Sequence, residues 1–100
     1  MPSEEIEIRG YALTQYPAMA DDITGIINLH DVAGKHVANL LFVRQGSLPA
    51  SRQDGAGLIL IHLWESAFPT VVAMLRSGAQ IFLRWDGSTG SIGTSLQTTG

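Results

Sequence analysis

The apolar pattern runs with period two, slips once, resumes, and then changes to a helical period. In EIEIRGYALT (5–14), Ile6 and Ile8 fall on one face and Glu5, Glu7 and Arg9 on the other, as in a half-buried strand. After Gly10 the apolar role passes to Tyr11 and Leu13. A slip of phase at a glycine predicts a β-bulge or a sharp bend. QYPAMADD (15–22) carries Pro17 and the adjacent Asp21 and Asp22, and reads as a solvated loop or a single helical turn. ITGIINLHDV and KHVANLLFVR flank Ala33–Gly34–Lys35 and predict a hairpin. Their apolar residues, Ile26 with Ile27 and Leu40 to Val43, fall on both faces. Such strands call for cover on both sides, by a helix, a second sheet or a partner.

QGSLPASRQDGAG (45–57) has no periodicity and exceeds the usual connection of about 4–6 residues, so it predicts a functional or a mobile loop. The richest pattern follows. LILIHLW (58–64) is a strand with Leu58, Leu60, His62 and Trp64 on one face and Ile59, Ile61 and Leu63 on the other. A strand this apolar aggregates if left on an edge, which predicts a central place in its sheet or pairing with its counterpart in another subunit. A helix is predicted over about 67–77, with Ser66 as N-cap, Pro69 in the first turn, Arg76 in the last and Gly78 in the left-handed position beyond. Phe68, Val71, Val72 and Leu75 form its apolar stripe. Strand character returns over 80–86, with Ile81, Leu83 and Trp85 on one face and Phe82 and Arg84 on the other. A turn at Asp86–Gly87 leads to a weaker strand over 91–97, and the Ser, Thr and Gly beyond Ser88 predict fraying at the end.

The order is β-ββ-β-α-ββ. It predicts a sheet-dominated α+β domain over 1–100, with about six mostly antiparallel strands in a twisted sheet or partly closed barrel and one helix plugging or covering an end. Three strands, a helix and a terminal hairpin resemble the element order of an OB-fold, with one strand in excess. The resemblance implies a surface that binds single-stranded nucleic acid.

Composition narrows the partners. Six Lys and Arg stand against nine Asp and Glu, a net charge of −3, and the cations are scattered singly, which disfavours nucleic acid. There is no cysteine, so disulfides and thiolate metal sites are excluded. MPSEEIEI lacks the features of a secretory signal, and no apolar run approaches the roughly 20 residues of a membrane helix. The expectation is a soluble cytoplasmic protein with no membrane partner. Charged residues make up 15%, against about 25% in an ordinary domain, and mean hydropathy is +0.17. So few charges on so small a domain predict that another chain covers part of it, as a homo-oligomer or a subunit of a larger complex.

Candidate chemistry is sparse. His30, Asp31 and His36 flank the hairpin turn and together offer a metal two imidazoles and a carboxylate, although polar residues beside a turn need no such reason. His62 interrupts an apolar strand and is a candidate general base, with Glu65 or Asp86 to orient it and Trp64 and Arg84 to line a pocket for a small ligand. A histidine satisfied by one hydrogen bond or by solvent is the commoner case, and no nucleophile accompanies this one. GSTGSIG (87–93) lacks the lysine of a phosphate loop and opens no helix, so it reads as a hairpin turn. No cofactor is expected. The leading expectation is a non-enzymatic module for self-association and assembly. A ligand-binding protein or enzyme built around His62, and an OB-like binder of single strands, stand as alternatives.

Overall fold

A computed structural model describes residues 4–15 and 22–94. Seven strands form one sheet: β1 (Glu4–Gln15), β2 (Ile23–Asp31), β3 (His36–Val43), β4 (Arg52–Gln53), β5 (Ile59–Trp64), β6 (Ile81–Trp85) and β7 (Gly90–Thr94). A 3-10 turn (Glu65–Ala67) leads directly into the single α-helix, α1 (Phe68–Arg76). The strand order is β4-β5-β3-β2-β1-β6-β7; β3 and β5 run parallel, and every other pair is antiparallel. The domain is a sheet-dominated α+β fold whose sheet curls into a half-barrel. The strand beyond the predicted six is β4, two residues inside the segment read as loop.

The curl begins with the slip at Gly10. Ile8 lies opposite Asp31 and Gly10 opposite His30, so two steps along β1 match one along β2. The extra residue reverses the faces, and Ile6 and Ile8 before it point to the same side as Leu13 after it. Further slips lie between Ile23 and Gly25 and between Leu29 and His30. Bulges bend a strand and increase its twist, and here three of them fall on the central meander. The concave face so formed holds the core, with Ile27, Leu29, Leu40, Phe42 and Leu83 fully buried.

Helix α1 closes one end of this trough. Val71 is buried, and Phe68, Val72 and Leu75 pack on the core, as the stripe predicts. The Phe68 ring meets Phe42 edge-on at 4.9 Å. It also lies over Gly25, where a Cβ would come within 3.3 Å of it. Pro69 sits in the first turn, Arg76 in the last, and Gly78 adopts φ +83°. Ser66 is not the cap. An N-cap needs an extended backbone, and the extended residue is Trp64, because the chain winds tightly from Glu65 onward. Ala67 stands at the N-cap of α1 and makes no side-chain hydrogen bond.

The seam of the half-barrel is closed by side chains. β5 and β7 share no ladder, yet a Cβ on Gly90 would lie 2.5 Å from Ile61 Cδ1 and 3.0 Å from Trp85 Cε3. β5 is flanked by β3 along its whole length, whereas β4 covers only Ile59 and Leu60. Beyond them the His62 N–H reaches Ser51 Oγ at 3.4 Å. The predicted turn over 15–22 falls mostly outside the described residues, as do Leu96 and the expected fraying at the C-terminal end. Gly90→Val should lower stability by about 1–3 kcal/mol in urea unfolding, because the Trp85 ring cannot retreat as the Ile61 terminus can. An unchanged midpoint would show that the seam is loose.

Candidate functional site

The register divides the convex face into two halves of different character. Across four strands one row reads Ala12, Asn28, Asn39 and Leu60, and the next reads Thr14, Ile26, Leu41 and His62. Gly10, His30 and His36 continue the face on one side, and Val43 and Trp64 on the other. No Asp, Glu, Lys or Arg occurs in these rows; the first charged residue is Arg52, on β4. Ile26, Leu41, Leu60 and His62 are half-buried, and Trp64 is 42% exposed. Helix α1 packs on the concave side, so no described helix or strand lies over this half. The second cover that the apolar pattern calls for is therefore partial among the described residues: Val43 is 3% exposed and the His62 Nδ1 is buried, while Trp64 stands open. The other half of the convex face, on β1, β6 and β7, carries Glu5 paired with Arg84 at 2.7 Å and Glu7 paired with Arg9 at 3.3 Å.

The structure separates most of the residues that the sequence groups. His62 and Trp64 lie on the neutral half, with Leu41 and Val43 opposite them. Glu65 is exposed in the following turn. Arg84 is occupied by Glu5 on the charged half. Asp86 follows Trp85, which lies opposite Glu4, and β6 is separated from β5 by three strands. Its Oδ1 accepts the N–H groups of Ser88 and Thr89 at 2.9 and 2.6 Å, and these hold its carboxyl below the usual range. Asp86 shapes the β6–β7 turn and does not orient His62. None of His62, Trp64, Glu65, Arg84 and Asp86 lines either of the two cavities formed by the described residues at the open end and beside Gly78.

His30 and His36 do meet. They are cross-strand partners, and their rings stack at 5.2 Å between centroids. The Asp31 Oδ1 accepts the N–H groups of Ala33 and Lys35 at 3.0 and 2.9 Å and so shapes the β2–β3 turn. His36 Nε2 is engaged by Asn39 Oδ1. Among the described residues, no group of three or more His, Asp or Glu is placed to hold a metal.

A cavity of about 440 Å³ opens at the end of the half-barrel opposite α1. Ile6, Val37, Leu58 and Ile59 give it apolar walls, and Glu4 and Lys35 lie at its margin. Three separate segments meet there: the start of β1, the β2–β3 turn and the β4–β5 turn. No single motif marks the site, because only topology brings those segments together. Its legible traces are the aperiodic 45–57 segment, which supplies Gln53, Asp54, Ala56 and Gly57, and the start of the LILIHLW run.

Burial pushes the His62 imidazole below its ordinary value, and the nearby Arg52 guanidinium adds to the shift. Its Nδ1 is buried without a hydrogen-bond partner among the described residues. A native state that disfavours the charged ring binds fewer protons than the unfolded chain as the pH falls below about 6.5. Stability should therefore fall as the pH is lowered below that value, and His62→Gln should reduce the fall, as read from thermal midpoints at successive pH values. Parallel pH profiles for the two proteins would contradict this. No family model, curated protein or solved structure matches the chain.

Proposed function

We propose that this domain is a self-associating interaction module whose contact surface is the neutral half of the convex face. The observation that carries the reading is the pair of uncharged rows across β1, β2, β3 and β5, with Ile26, Leu41, Leu60 and Trp64 among their side chains and the rows beside them. A face without charge can meet its own copy without setting like charges together, as an isologous contact requires. Four strands at about 4.8 Å and eight residues at about 3.3 Å each span about 500 Å² in projection. A corrugated surface has more accessible area than its projection, and a standard interface takes about 800 Å² from each partner. Interfaces of this kind are depleted in charge at their centre and enriched in aromatic residues such as Trp64.

The alternative of an OB-like binder of single strands has less support. Three of the six cations, Arg9, Arg44 and Arg84, are held by carboxylates, and Arg52, opposite Leu60, stands at the border of the uncharged rows as a single charge without a cluster beside it. Among the described residues no carboxylate is hydrogen-bonded to His62, which leaves a general-base role there with less support.

Light scattering at about 100 μM, a concentration that populates a micromolar complex, should give a mass of at least two chains. Leu41→Glu places a charge at the centre of the face and should weaken association at least tenfold while the circular dichroism spectrum stays native. Ser91→Glu, on the charged half, should leave the mass unchanged. A strictly monomeric wild type would remove the reading.

A further inference from the structure

The two ends of the half-barrel are finished differently. At one, Phe68 and Val71 of α1 fill the trough. At the other no described helix enters, and the cavity of about 440 Å³ stands open over Ile6, Val37, Leu58 and Ile59. That volume lies within the range of about 300–1,000 Å³ typical of small-molecule sites, which pair apolar walls with a few placed polar groups.

Of the polar groups that line it, His36 is engaged by Asn39, and the other four sort into two kinds. Gln53 and Asp54 build the wall: Gln53 Nε2 donates to the Gly57 carbonyl at 2.9 Å, and Asp54 Oδ1 accepts the N–H groups of Ala56 and Leu58 at 2.9 Å each. Those bonds fix the β4–β5 turn and hold the apolar Leu58 at the cavity. The side chains of Glu4 and Lys35 make no hydrogen bond to another described residue. Both line the cavity, yet neither forms an ion pair with the other or with any other described residue. One unspent charge of each sign beside an apolar floor matches a molecule with the same three features in complementary order.

We infer that the open end of the half-barrel binds a small zwitterion with an aliphatic body, the chemistry of a branched-chain α-amino acid. Its ammonium group faces Glu4, its carboxylate faces Lys35, and its side chain covers Ile6, Val37, Leu58 and Ile59. The inference is independent of self-association, since none of these residues lies in the uncharged rows.

Titration of the full chain with L-leucine, followed by amide chemical shifts, tests it. Leucine at up to about 10 mM, which detects binding in the millimolar range, should move the amides of Val37, Gly57, Leu58 and Ile59. Leucine amide lacks the carboxylate and N-acetyl-leucine lacks the amine; each should bind at least tenfold more weakly. Lys35→Met should weaken leucine at least tenfold and leave leucine amide unaffected, and Glu4→Gln should do the same for leucine and N-acetyl-leucine respectively. The spectra themselves report that each variant is folded. The inference is overturned if leucine, isoleucine and valine all leave these amides unmoved, if the shifts fall outside the open end, or if either blocked derivative binds as well as leucine.

Discussion

One nine-residue helix cannot cover both faces of a seven-stranded sheet, and the rest of the structure follows from that shortage. Apolar side chains on β2, β3 and β5 point both ways, so two layers of cover are called for and the described chain supplies a fraction of one. Curling is the solution for the concave side. The sheet folds over itself until Ile61 meets Gly90 and Trp85, and it becomes its own second layer. No such solution exists for the convex side, because a single curled sheet has one inside.

The same shortage explains the unequal ends. The helix is long enough to fill the trough where β2 begins and β3 finishes, with Gly25 left bare of side chain to admit the Phe68 ring. Among the described residues the far end receives turns, each held by an aspartate that accepts backbone N–H groups: Asp31, Asp54 and Asp86. Turns of that kind shape a rim and do not fill a cavity. Surface chemistry divides along the same geometry. Ion pairs of β1 sit on the side shared with β6, while the side shared with β2, β3 and β5 has none in its rows.

What could be read from sequence was what local physics decides. The slip at Gly10, the hairpin about Gly34, the alternation of Ile81, Leu83 and Trp85, and the helix bounded by Pro69 and Gly78 each depend on neighbours within a few residues. Ser66 misled because a capping residue and an exposed residue of a tight turn have the same composition; the difference lies in the backbone, which Trp64 sets. β4 is too short to have a period. The parallel pairing of β3 with β5 depends on where a thirteen-residue connection returns, and no side chain records that. Candidate sites fared likewise. His30 and His36, joined by a local turn, were brought together, whereas His62 and Asp86, placed by long-range topology, were not. Glu4, Lys35 and Leu58 converge from three segments with no shared motif.

The central claim is that the neutral convex face is covered by a second copy of the chain. Methyl spectra of an Ile- and Leu-labelled sample over a dilution series test it residue by residue. The account predicts that Ile26, Leu41 and Leu60 shift together with concentration, while Leu29 and Leu83, sealed inside the half-barrel, stay fixed. Concentration-independent spectra, or shifts confined to Ile92 and the β6–β7 side, would contradict it.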